Sequence, residues 1–253
     1  MAGDILFFLS SLVLIFLFFG ALDFFMLGLI KKRIGWLRVI SFGMMFVVCA
    51  VLAMYLGLKI SAGHDMKDYL NRELKKSVEI AMESQRKAGL PEADIQAAQK
   101  RVELLVVKTA PAWMFLSALF VVFLNYMFTR AYAQKRFGIE HEMTPFAFWR
   151  LDLKVMWLTV ASLAVIAGSR FFQDESVQAA AINTLFVLGN LYFLIGLAVI
   201  TFFMEKKGMP GFVKFMVYMA VVFMPVISSV LIAAGALDTW FNFRKAGVIN
   251  IKG

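Results

Sequence analysis

The chain has 253 residues, 61% of them apolar and 27 of them Phe, with a mean hydropathy of +0.78 and a formal charge of +9. A soluble chain is about 45–50% apolar, and no soluble domain of this size could hide the excess, since folded surfaces need polar groups facing water. Nucleic acid is excluded as the reason for the charge, because residues 64–108 hold nine basic and eight acidic residues while the surplus sits at the ends of apolar runs.

The predicted fold is all-α, a polytopic transmembrane helix bundle of about six spans with a polar helical hairpin between spans two and three. A hydrocarbon core about 30 Å thick takes about 20 helical residues. Six stretches qualify: Ile5–Ile30, Leu37–Ile60, Pro111–Ala131, Val155–Phe172, Ala179–Met204 and Phe212–Leu237. The apolar runs are continuous, which excludes the alternating strands of a β-barrel. The start, Met1-Ala2-Gly3-Asp4, lacks a basic n-region, so the first segment is expected to stay with the chain. Residues 1–60 thus hold two spans, 61–110 the hairpin, and 111–253 four spans with an interfacial motif.

In the second span Gly43, Ala50 and Gly57 recur every seven residues, a seam for close packing. The hairpin shows Met66, Leu70, Leu74, Val78 and Ala81 at helical spacing, with Asp68/Arg72, Lys75/Glu79 and Glu83/Lys87 four apart. Gly89 ends its first helix and Pro91 opens the second. Pro111 suits the first turn of the third span. Thr144-Pro145 reads as a cap followed by proline. Ala164 and Gly168 form a small-residue pair on the fourth span. Met209-Pro210-Gly211 makes a tight turn, and Pro225 kinks the sixth span, freeing carbonyls near Ser228 and Ser229.

Lys and Arg set the orientation. The loop Lys31–Arg38 has four, Arg130–Lys154 five and Glu205–Lys214 three, against one in Arg170–Gln178. In a six-span chain the first three share one face, which the positive-inside rule assigns to the cytoplasm. The N-terminus, hairpin and C-terminus then lie outside.

No catalytic constellation emerges. His64 and His141 fall in separate polar segments on opposite predicted faces, and Cys49 is the single thiol. A histidine- or cysteine-based metal site, a Ser-His-Asp arrangement and a disulfide are therefore not expected. No P-loop or dinucleotide fingerprint is present, so no cofactor is expected and the chain reads as a non-enzyme.

Polar residues inside spans are costly and so informative. Asp23 is the one acid well inside a span, and Asn125, Asn183 and Asn190 mark internal polar faces. Together with Ser228 and Ser229 they are the candidate solute-binding residues. The alternative for the amides is helix–helix hydrogen bonding. Near the end, Asp238, Trp240, Phe241, Phe243, Arg244 and Lys245 read as an ordered element at the membrane interface, with aromatic rings among headgroups and cations reaching lipid phosphate or Asp238.

Three pieces together resemble the YybS-like family of bacterial polytopic membrane proteins of unknown function. They are the polar stretch with Leu90-Pro91 running to Pro111 and Arg130, the elements Thr144-Pro145-Phe146 and Phe148-Trp149-Arg150-Leu151, and the ending Gly235–Lys245. The likeness covers residues 63–245. One position departs: proline is expected after Trp-Arg-Leu, and this chain has Asp152. The family is distantly similar to the solute-capturing S-components of energy-coupling-factor transporters. The resemblance thus implies residence in a bacterial cytoplasmic membrane and a transport-related role, and carries over no ligand residues. A solute-binding subunit and a non-catalytic scaffold of a membrane complex are the two functions expected. The corresponding partners are membrane lipids, a small solute and other membrane subunits.

Overall fold

The computed structural model describes residues 2–62, 66–87, 89, 91–102, 108–171 and 174–244. His64, Leu90, Phe172 and Lys245 lie outside them. All regular structure among the described residues is helical: α1 (Ala2–Lys31), α2 (Trp36–Ala62), α3 (Met66–Lys87), α4 (Glu92–Val102), α5 (Ala110–Phe137), α6 (Leu153–Ala167), α7 (Glu175–Lys206), α8 (Gly211–Phe223) and α9 (Pro225–Phe241). A 3-10 turn covers Phe146–Phe148. The chain divides into two compact units, Met1–Val107 with Met114–Met143, and Lys108–Trp113 with Thr144–Gly253.

Four helices, α1, α2, α5 and α7, are each long and apolar enough to cross a membrane, and α8 with α9 makes a fifth if the bent pair is one span. The expected polytopic helical bundle of about six spans thus has four to five such helices among the described residues. The segment predicted as Val155–Phe172 forms α6, whose 15 residues reach about 22 Å at 1.5 Å each, short of the hydrocarbon thickness. The sixth predicted span is broken, with α8 and α9 meeting at 102°. Pro225 lacks an N–H and pushes its predecessor out of the helical region, and Met224 accordingly has φ −115° and ψ 96°. The Ser228 hydroxyl donates to Val221 O at 3.4 Å, meeting one carbonyl freed at the break.

The first unit packs on two stripes. Leu22, Met26 and Ile30 are fully buried at four-residue spacing on α1, and Val122, Tyr126 and Ala133 of α5 join them with Val39 and Ile40 of α2. Other apolar residues face outward. Phe24 is 81% exposed and Phe128 72%, and only 11% of the stretch Trp36–Gly57 is buried inside the protein. Such surfaces need lipid to cover them. The predicted seam on α2 is close-packed at Gly43 and open at Gly57. A Cβ on Gly43 would press on Met26 and Val122, whereas one on Gly57 would meet nothing within 4 Å.

The helices α3 and α4 pack on each other, and each buries an apolar side chain, Met82 on α3 and Ile95 on α4. Gly89 takes φ +79° between them, and Arg86 bridges to Glu92 at 2.8 Å across the turn. The Arg86 hydrogen bond holds the Glu92 carboxyl below its ordinary value, and Glu92 in turn raises the Arg86 guanidinium. The Glu83–Lys87 pair expected from spacing is formed at 2.9 Å.

In the second unit α7 is central and packs on α6, α9 and the 3-10 turn. Asp174 caps α7 by accepting from Ser176 N at 2.7 Å, and Asp152 caps α6 by accepting from Lys154 N at 2.9 Å. Asp152 stands where the resemblance predicts proline. Both residue types suit a helix start, one by capping and one by its fixed φ. The cap expected at Thr144-Pro145 opens only the 3-10 turn, and Pro145 makes no side-chain cap bond. At the α7–α9 crossing, a Cβ on Gly196 would collide with the Leu231 carbonyl and one on Gly235 with the Tyr192 carbonyl. Two backbones therefore touch, which only glycine permits.

Candidate functional site

Asp23 lies on the exposed-side flank of the α1 stripe, half-buried between fully buried Leu22 and exposed Phe24. It borders a cleft of about 280 Å³ formed within the first unit by Asp23, Phe24 and Leu27 of α1 and Phe128, Thr129 and Tyr132 of α5. The Thr129 hydroxyl has two acceptors in reach, Asp23 Oδ1 at 2.5 Å and Asn125 O at 2.9 Å. One hydroxyl carries one proton, so these two oxygens compete for it. Among the described residues Asp23 makes no salt bridge, and only its Oδ1 meets a hydrogen-bonding protein group. Asn125 is buried one turn before Thr129, and its Oδ1 has no hydrogen-bond partner.

Toward the same end of α5 a second polar group closes the unit. The His141 Nε2 faces Ile34 O at 2.6 Å. A carbonyl only accepts, so Nε2 carries the proton, and Nδ1 accepts from the Tyr126 hydroxyl at 2.8 Å. Arg130 Nε donates to His141 O at 2.6 Å, and Lys31 Nζ lies 4.1 Å over the Phe137 ring. The basic loop after α1 and the basic end of α5 are thus tied together, as charge counting places them on one membrane face. His141 and Tyr126 carry no sequence signal for this role, since a lone histidine in a polar loop has no periodicity to reveal its partner.

The other candidate residues lie in the second unit. Asn183 accepts from Ala112 N at 2.9 Å and donates to Lys108 O and Ala179 O, each at 2.8 Å. It clasps the first turn of α5, with Trp113 against Phe186 alongside. Asn190 donates to Phe186 O one turn back on its own helix at 2.8 Å. Ser229 faces Pro225 O at 3.5 Å, and Ser228 serves Val221. Their polarity is spent on backbone.

The C-terminal motif is split in two by burial. Trp240, Phe241 and Phe243 are outward and stack in sequence at ring separations of 6.1 Å. Asp238 and Arg244 turn inward, with side chains 0% and 4% exposed, and pair at 2.7 Å. Asn242 permits this by taking φ +51° at the end of α9. Arg244 also donates to Ala147 O at 2.6 Å and Trp149 O at 2.7 Å. It therefore holds the 3-10 turn and does not face headgroups, because one guanidinium can meet three fixed acceptors at once. Among the described residues no three potential ligands cluster as a metal site would need.

A protein-family model described as "Predicted membrane protein (DUF2232)" matches residues 3–239. The chain belongs to the DUF2232 family. The match runs through both the α1–α5 cleft and the α7–α9 crossing of this DUF2232 chain, and ends one residue after Asp238. No curated protein and no solved structure matches it.

Proposed function

We propose that this DUF2232 chain is the non-catalytic, solute-binding subunit of a transport system in the bacterial cytoplasmic membrane, with its site in the α1–α5 cleft. The carrying observation is an acid at membrane depth that borders a cavity and leaves one oxygen without a protein partner. Intramembrane acids are costly and mark solute pathways or pairs, and among the described residues Asp23 has no ion pair. The cavity volume equals about nine waters, the scale of a small metabolite. The YybS-like resemblance and its distant likeness to S-components support the transport-related role. The alternative, a non-catalytic scaffold, rests on the hairpin stripe, where Val78 is half-buried and Ala81 exposed.

Native mass spectrometry of the full chain from mild detergent tests the reading. A small-molecule adduct is expected, reduced when Leu27→Trp fills the cleft or Thr129→Val removes the hydroxyl. An adduct indifferent to both substitutions, or co-purifying protein subunits with no adduct at all, would overturn it.

A further inference from the structure

We infer that the ligand of the α1–α5 cleft is a small organic cation, an alkylated or protonated amine, an inference that rests on the cleft being a solute site. Three observations point the same way. The first is charge. Asp23 is the acid of the cleft, and no Lys, Arg or His lines it. A carboxylate in such a place is costly until a cation joins it. The Thr129 hydroxyl supplies at most part of one hydrogen bond, because Asn125 O draws on the same proton. Anionic ligands are disfavoured by the same charge.

The second is the walls. Phe24, Phe128 and Tyr132, each more than half exposed, rim the open side of the cleft beside the one acid. Ring faces are negative and attract a cation within about 6 Å, more strongly when water is excluded. A neutral apolar solute would gain from the rings but would leave the acid unmatched. A metal ion would match the acid but would find no further ligating cluster and no use for three rings. The third is size. A cavity of about 280 Å³ fits a compact ammonium, not an extended chain. Leu27 offers an apolar base for its alkyl arms.

The test uses radiolabelled tetraethylammonium and the full chain in nanodiscs, with N,N-diethylpropanamide as a neutral molecule of the same heavy-atom count. Saturable binding of the ammonium is expected. Asp23→Asn should weaken it about ten- to a hundredfold, the loss of one charge-assisted contact. Phe128→Ala should weaken it about two- to thirtyfold, and the amide should not compete. In parallel, Leu27→Cys in a Cys49→Ala background reports occupancy of the cleft by protection from a thiol reagent. Ammonium binding unchanged by Asp23→Asn, absent altogether, or displaced equally by the amide would overturn the cation. If the amide alone protects Leu27→Cys, the cation fails and the solute site stands. If neither probe protects, the cation fails, and the adduct experiment decides the solute site separately.

Discussion

Alanine in place of Gly196 should break the second unit, while the same change at Gly189, seven residues earlier on α7, should not. A Cβ at Gly196 overlaps the Leu231 carbonyl oxygen, carbon and Cα, all backbone, so no rotamer can yield. Ordinary C···O contact needs about 3.3–3.6 Å, and relief requires α7 and α9 to part along a crossing that also carries the Gly235–Tyr192 approach. Overpacking of this kind costs about 1–3 kcal/mol. The close Cα–H···O contacts forfeited cost about 0.5–1 kcal/mol each, so the loss is about 2–5 kcal/mol. At Gly189 a Cβ meets nothing within 4 Å, and helix propensity alone predicts a gain of about 0.5–1 kcal/mol. Reversible unfolding in mixed micelles, followed by tryptophan fluorescence, measures both variants. Gly235→Ala should match Gly196→Ala, and the double variant should cost less than the sum, since one crossing opens once. Equal tolerance of alanine at 189 and 196 would refute the reasoning.

Orientation can be read with single cysteines in a Cys49→Ala background. An impermeant thiol reagent on whole cells should label Glu83→Cys and spare Glu140→Cys; the reverse pattern would overturn the orientation. For the buried pair, Arg244→Met or Asp238→Asn should each cost about 3–5 kcal/mol, because a buried partner is left uncompensated. The double variant should be no worse than the worse single, and strictly additive losses would show that the two act apart.

The parts of the fold legible in sequence are those set by local chemistry. Continuous apolarity marks the helices, Gly89 and Pro91 the α3–α4 turn, Pro111 the start of α5 and Pro225 the break before α9. Facing is not legible. On α1 the buried residues Leu22 and Met26 and the exposed Phe24 are all apolar, because lipid and protein both accept apolar side chains, and periodicity then has no contrast to report. The same loss of contrast hides which glycines matter: Gly57 and Gly196 look alike in sequence, and only the second meets another backbone. Cost in lipid singles out Asp23 from sequence alone, but the Thr129 hydroxyl, 106 residues away, and the rings of Phe128 and Tyr132 come from α5. Asn183 shows the converse, an internal amide whose hydrogen bonds go to Lys108 O and Ala112 N, a choice that two-turn spacing to Asn190 cannot reveal.

The Arg244 contact also sets an order of events at the ribosome. Its carbonyl partners at Ala147 and Trp149 are made 97 and 95 residues earlier, an interval of roughly 5–20 s at ordinary elongation rates. Through that time the 3-10 turn has two carbonyls without their guanidinium, and for the shorter stretch from Gly196 to Gly235 the glycine face of α7 waits for α9. Closure of the second unit therefore awaits Arg244. A nascent chain stalled between α7 and α9 presents an open helix face and a loose turn, the state that membrane quality control would meet first.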